Sequence, residues 1–322
     1  MYVGRFAPSP TGPLHFGSLV AALASWLDAR AARGRWLLRI EDLDAPRMQA
    51  GAGELILRSL DGLGLTWDGP VVYQSLRAAR YAAALRDLDR HAYWCGCTRR
   101  EIADSSLMLA ADGAQVYPGT CREGLPEGKS ARALRLRTSS EPIEFTDRVQ
   151  GPQQQNVERE VGDFVLYRAD GQFAYQLAVV VDDAEQGVTD LVRGADLLDS
   201  TARQIHLQRR LGYPTPRYLH VPVALNGAGD KLSKQTGAQP VDLACRKELI
   251  ECALAFLNQP PASDLDEAIA NWDPARVPRR VSVPVDESPW RAPPARKRAQ
   301  PLQPSSAVRP GTPRRSGRRS PE

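Results

Sequence analysis

At 322 residues, with 42% hydrophobic and 25% charged side chains, the chain has the composition of a globular protein of roughly two domains. Its net charge of +4 is uneven: residues 288–322 hold nine Arg or Lys and one acid, so the rest of the chain carries a net −4. A wholly basic body is excluded, and no apolar run nears the ~20 residues of a membrane span. With no apolar segment in the first ten residues, the cytoplasm is the expected compartment, without membrane association.

Residues 2–6 read as a short strand entering a Pro- and Gly-punctuated loop at 7–13. A helix is expected over 17–33, with Leu19, Leu23, Trp26 and Leu27 on one face, then a buried strand over 36–40. This βαβ order implies a parallel sheet with a right-handed connection. Helices follow at 52–63 and 78–91, then a Gly-rich, irregular insertion at 93–138. Residues 164–181 alternate and then turn continuously apolar, as strands do; 200–211 reads as helix and 218–225 as strand. A last helix is expected over 241–257, with Cys245 and Cys252 as core thiols on one face. Beyond about residue 281 the chain is rich in Pro, Arg and Ser and is expected to be disordered. The expected fold is α/β. A Rossmann-like parallel-sheet catalytic domain occupies 1–92 and 139–238, interrupted by the insertion at 93–138. A helical segment at 239–282 and a disordered basic tail at 283–322 follow.

Two segments suit nucleotide chemistry. Pro8-Ser9-Pro10-Thr11-Gly12-Pro13-Leu14-His15-Phe16-Gly17-Ser18 lies between the first strand and the first helix, where open parallel sheets bind ligands. A helix N-terminus there offers unpaired N–H groups to a phosphate, Gly17 permits close approach, and His15 can donate to a phosphate oxygen. Lys231-Leu232-Ser233-Lys234-Gln235 follows a Gly-rich loop, and two lysines three apart suit charge build-up on a polyphosphate. Either segment alone would be unremarkable.

Together they resemble the signatures of class I aminoacyl-tRNA synthetases: His15-Phe16-Gly17-Ser18 the HIGH motif, and residues 231–235 the KMSKS loop. Arg5-Phe6-Ala7-Pro8-Ser9-Pro10-Thr11-Gly12, Leu38-Arg39-Ile40-Glu41-Asp42-Leu43-Asp44 and the stretch 186–196 are similar to the glutamyl branch, in the same order. Ser18 replaces the second His of HIGH, Gln235 the final Ser of KMSKS, and no long helical anticodon-binding region follows residue 281. The Ala-Asn-Trp-Asp-Pro-Ala-Arg-Val-Pro ending at 270–278 is also similar to the truncated paralogue family, the glutamyl-Q tRNA(Asp) synthetases.

That resemblance implies ATP-dependent, tRNA-independent activation of L-glutamate, with Mg²⁺ accompanying ATP, and transfer to queuosine at the wobble position of tRNA(Asp) by a monomeric enzyme. His15, Lys231 and Lys234 would be catalytic; His15, Gly17, Ser18 and Lys234 would bind ATP. For glutamate, Arg5 could pair with a carboxylate, Ser9 add a hydrogen bond and Glu41 hold the ammonium, beside Phe6, Ala7 and Pro8. Spacing alone favours a structural Arg5–Glu41 ion pair, and the resemblance reverses that reading. Tyr175 and Arg193 would complete the pocket as the family places them.

Cys95, Cys97 and Cys121 are three of five cysteines, an odd number that argues against a disulfide framework. Three thiols in one segment suit zinc, or reduced unliganded thiols, with His91 a candidate fourth ligand. In the resembled family the residue matching Tyr117 completes a structural zinc site, which makes 93–138 a zinc-bearing insertion. Two other functions stay open: a truncated glutamyl-tRNA synthetase charging a tRNA 3′ end, and a non-catalytic RNA-binding relic.

Overall fold

A computed structural model describes residues 1–106, 108–111, 113–232 and 237–287. The first half of the sheet is built from β1 (Val3–Phe6), α1 (Phe16–Ala31), β2 (Arg35–Ile40), α2 (Ala52–Leu63), β3 (Val72–Tyr73) and α3 (Ala78–Asp87). The expected βαβ unit is present, with β1, β2 and β3 parallel in that order. The helix expected to reach residue 91 ends at Asp87, and a short 3-10 turn covers Asp89–His91.

The insertion contains more regular structure than its glycines suggested. β4 (Ala92–Cys95), α4 (Arg99–Ser105) and β5 (Ala133–Leu136) precede the hairpin β6 (Ile143–Asp147) and β7 (Gly151–Gln155). After the single turn α5 (Val157–Glu160), β8 (Val165–Tyr167) closes an antiparallel β4-β5-β8 sheet. The strand reading of 164–181 holds only for β8; Tyr175–Glu185 is a helix, α6. Leu177, Ala178, Val179, Val180 and Val181 are all buried, so no helical period shows in the sequence and the run mimics a buried strand.

β9 (Asp190–Gly194), α7 (Leu198–Leu211) and β10 (Arg217–Val221) complete the second half, where β9, β10 and β6 run parallel. β11 (Val223–Leu225) is separated from β10 by Pro222, whose missing N–H breaks a ladder. The helix expected over 241–257 begins later: a 3-10 turn occupies Leu243–Cys245 and α8 spans Arg246–Phe256. Cys245 caps α8 and Cys252 lies within it, both half-buried against the core. α9 (Leu265–Asn271) and β12 (Ser282–Pro284) follow. β12 pairs in parallel with β11, so ordered chain passes the expected tail boundary at 283; the tail from 288 lies outside the described residues.

The two half-sheets meet where Thr189 N–H donates to Val3 O at 2.9 Å, putting β1 beside β9. Strand order reverses there, and a crevice opens at the carboxyl ends of both strands. α1 covers this junction and also carries α8 and α9 on its other side, which is why it is apolar nearly all round. Its Asp28 accepts from Tyr2 Oη (2.6 Å), Arg148 Nη1 and Nη2 (2.5 and 2.9 Å) and Trp272 Nε1 (2.9 Å). One buried carboxylate thus ties the first strand, the β6–β7 turn and the Asn-Trp-Asp-Pro ending to one helix. Among the described residues no helix is long and apolar enough to cross a membrane.

Candidate active site

At the crevice lies a cavity of about 500 Å³, within the usual range for small-molecule sites. Its lining includes every expected pocket residue among those described: Arg5, Phe6, Ala7, Pro8, Ser9, His15, Gly17, Ser18, Glu41, Tyr175, Arg193 and Lys231. Lys234 lies outside the described residues. Topology explains the convergence: Arg5 and Phe6 end β1, Glu41 follows β2, Arg193 sits near the end of β9, and Tyr175 opens α6.

The charges are not paired as spacing alone allowed. Arg5 is buried and spends Nε and Nη2 on Asp183 (3.2 and 3.3 Å), leaving Nη1 without a described partner. Glu41 accepts from Arg39 Nη2 at 3.2 Å, so there is no Arg5–Glu41 pair. Arg39, fully buried, also meets Asp183 Oδ1 at 2.8 Å and Gln186 Oε1 at 2.6 Å. Burial pushes the Glu41 carboxyl above its ordinary range against the pull of Arg39 and Arg5. A ligand ammonium beside it would favour its charged form.

Arg193 is different. It is 4% exposed, and its fork donates to four neutral acceptors: His220 Nε2 (3.0 Å), Gln204 Oε1 (2.8 Å), Thr201 Oγ1 (3.0 Å) and Leu197 O (3.5 Å). No described carboxylate neutralises it. A buried, unneutralised cation in a cavity wall is costly until an anion arrives. Asp182, Asp183, Arg39, His220 and Gln204 are functional neighbours that the motif reading missed. Their signal was a charge inside an apolar strand, Leu38-Arg39-Ile40, and Asp182-Asp183 closing an apolar run.

His15 caps α1, its Nδ1 accepting from Ser18 N–H at 3.4 Å. The ring proton then belongs on Nε2, which lies 3.0 Å from Ser18 Oγ and is the atom able to donate to a phosphate. A side chain at Gly17 would put Cβ 3.2 Å from Leu232 O, so glycine there lets the backbone at Leu232 lie against the helix start. Lys231 Nζ sits 2.5 Å from Asp196 Oδ2.

Some distance along the chain, the Cys95, Cys97 and Cys121 sulfurs lie within 4.8 Å of one another and could hold a metal ion. Tyr117 Oη is 3.4 Å from Cys95 Sγ and 3.9 Å from Cys97 Sγ, and Cys97 and Cys121 sulfurs are 3.6 Å apart. Tetrahedral bonds of about 2.3 Å to sulfur and about 2.0 Å to oxygen require edges of roughly 3.5–3.8 Å, so the residues fit. His91 is not part of this group. Burial raises the Cys95 thiol, but hydrogen bonds from Tyr117 and Arg135 outweigh it and bring it to about 7. Gly162, at φ 76°, brings its backbone so near Tyr117 that a Cβ would fall 2.5 Å from Tyr117 O. Cys97→Ala should release bound metal and loosen residues 92–125. Metal content by mass spectrometry and amide exchange check this, and undiminished metal at one per chain would contradict it.

Residues 2–258 match the family of class I tRNA synthetases (E and Q), catalytic domain. A glutamyl-Q tRNA(Asp) synthetase of Verminephrobacter eiseniae is 59% identical over 277 residues, covering 84% of this chain and 94% of that protein. The chain belongs to the glutamyl-Q tRNA(Asp) synthetase family. Another member, from Janthinobacterium sp., is 57% identical over 84% of this chain and 96% of its own length. A crystal structure of a glutamate tRNA ligase from Elizabethkingia meningosepticum, in complex with its amino acid, superposes with a TM-score of 0.75 at 27% identity. It covers 89% of this chain and 68% of that one. Family membership makes the chain an ATP-using ligase, and the cavity is where that fold gathers charge.

Proposed function

We propose that the chain activates L-glutamate with ATP, without tRNA, and transfers it to the queuosine base at the wobble position of tRNA(Asp). The observation that carries the substrate reading is Arg193, a buried cation with no carboxylate partner among the described residues, sharing a cavity with Glu41. A dicarboxylate with one ammonium answers both: Glu41 takes the ammonium, Arg193 neutralises the carboxylate that does not react, and Arg5 Nη1 and Ser9 orient the rest. The reacting carboxylate attacks the α-phosphorus of ATP; a P–O bond forms, the bond to pyrophosphate breaks, and glutamyl-adenylate results. No protein nucleophile is needed, so positioning and electrostatic stabilisation dominate.

His15 Nε2, Lys231 and Lys234 stabilise the phosphates, with Mg²⁺ brought in by ATP. Lys231 must exchange Asp196 for the polyphosphate to do so. A cyclopentene hydroxyl of queuosine then attacks the adenylate carbonyl and AMP leaves. The names of the relatives support this acceptor over a tRNA 3′ end. Zinc, held by Cys95, Cys97, Tyr117 and Cys121, serves structure only, since the four ligands leave no open position. We take the enzyme to act as a cytoplasmic monomer.

Glutamate-dependent ATP–pyrophosphate exchange without tRNA tests the first step, with aspartate and glutamine as controls. No exchange, or equal exchange with glutamine, defeats it. For the second step, labelled glutamate should join tRNA(Asp) only when queuosine is present and should survive removal of the 3′ adenosine. Label lost with that adenosine would mean 3′-end charging.

A further inference from the structure

His220 is fully buried on β10, and each ring nitrogen has a defined partner. Nδ1 lies 2.7 Å from Asp147 Oδ2, and Nε2 lies 3.0 Å from Arg193 Nε. An arginine Nε–H can only donate, so Nε2 must be bare and the proton must sit on Nδ1, facing the carboxylate. Asp147 is fixed in turn, because its Oδ1 accepts backbone N–H groups from Val149 (3.0 Å), Gln150 (2.8 Å) and His220 (3.2 Å). Asp147 ends β6, His220 lies on β10 and Arg193 on β9, so the chain of contacts crosses three adjacent parallel strands.

We propose that Asp147 and His220 are positioning residues for Arg193: the carboxylate selects the Nδ1–H tautomer, and the bare Nε2 locks the guanidinium that receives the substrate's unreacting carboxylate. The proposal rests on the glutamate reading above. Asp147→Asn is nearly isosteric but places an amide N–H₂ where Oδ2 stood, because the backbone N–H groups keep Oδ1 as acceptor. His220 Nδ1 must then accept, its proton moves to Nε2, and two donors confront each other at Arg193. His220→Gln, by contrast, can present an amide oxygen near the position of Nε2.

Protonation of His220 has the same consequence as the wrong tautomer. The groups facing the ring are Asp147 from β6, Arg193 from β9, Thr201 Oγ1 from α7 (3.3 Å), and the Tyr218 ring on β10 (centroids 6.1 Å), with Asp196 a more distant charge. Burial first, and Arg193 next among the opposing causes, hold the ring below its ordinary value despite Asp147. A histidine held below its ordinary value stays neutral through the ordinary histidine range, so the lock is intact there and is lost only as pH falls beneath that range.

The test combines pyrophosphate-exchange kinetics with ¹⁵N NMR of the full-length chain, whose four histidines are few enough to assign. Asp147→Asn should raise KM for glutamate about 10–100-fold and His220→Gln about 3–10-fold, each leaving KM for ATP within about threefold. In the His220→Gln background the Asp147→Asn change should add little, since no tautomer remains to be reversed. KM for glutamate should stay level through the ordinary histidine range, climb only at lower pH in the wild type, and stay flatter in His220→Gln. The NMR spectrum should give Nδ1–H with bare Nε2 at neutral pH and the reverse in Asp147→Asn. A charged or Nε2–H ring in the wild type, or Asp147→Asn with an unchanged glutamate KM, overturns the lock. Wild-type exchange that ignores glutamate defeats the substrate reading instead, and the tautomer measurement still decides whether Asp147 sets the ring for Arg193.

Discussion

Arg193→Ala should lower kcat/KM for glutamate in pyrophosphate exchange by roughly 10²–10³-fold, about 3–4 kcal/mol, the range for removing one partner of a desolvated charge pair. The loss should fall mainly on KM for glutamate, because Arg193 meets the carboxylate that does not react and holds it before and during adenylation alike. Lys should rescue poorly. Its single ammonium cannot serve His220, Gln204 and Thr201 as a planar fork and still offer N–H groups to a carboxylate. Arg5→Ala makes a useful contrast. Two arms of Arg5 already serve Asp183, so its removal should cost thermal stability as well as activity, leaving Asp183 with Arg39 alone. If Arg193→Ala retains wild-type kcat/KM for glutamate, the carboxylate is held elsewhere and the substrate argument loses its main support.

The contrast between Arg5 and Arg193 marks how far sequence reasoning reached. Strand–loop–helix–strand order at the start of the chain placed Arg5, His15 and Glu41 at one crevice, because parallel strands end on the same side. The half-sheet junction at Thr189 and Val3 brings Arg193 there as well, a contact between residues 186 positions apart that no local pattern encodes. Tyr175 was assigned to a strand because a helix buried on all sides loses its period; its place at the start of α6 comes from tertiary packing. Residue type alone suggests that Arg5 takes a substrate carboxylate, whereas only the family resemblance places Arg193 in the pocket. The burial of both, and the different acceptors each finds, reverse the emphasis: Arg5 is neutralised by Asp183, whereas no described carboxylate pairs with Arg193. The cysteines were easier, since three thiols and a phenol in one short segment leave few arrangements. Even so, only the fold removed His91 from contention.

Asp182→Ala should be the most destabilising single substitution near the site, by about 3–5 kcal/mol, because it strips a buried network of its anion. Asp182 is fully buried and accepts from Arg77 Nε (2.6 Å), Gln74 Nε2 (2.7 Å) and Tyr81 Oη (2.9 Å), with Arg39 Nε 3.6 Å away. The variant leaves the Gln74 and Tyr81 donors unsatisfied in the interior and reduces the compensation of Arg39, whose other anions are Asp183 and Glu41. At roughly 2–4 °C per kcal/mol for a chain of this size, the melting temperature should fall by about 10 °C. Asp182→Asn keeps the volume and one acceptor, so it should cost less than Ala while still removing the charge. Activity should respond even where the protein remains folded. Freed from Asp182, Arg39 can draw Asp183 and Glu41 toward itself, and those two carboxylates hold Arg5 and await the ammonium. Scanning calorimetry, paired with glutamate KM measured at a temperature where both variants are folded, separates the two effects. A melting temperature within about 2 °C of wild type for Asp182→Ala would mean that the network contributes little. The carboxylate would then be better understood as a determinant of where Arg39 points than of whether the domain folds.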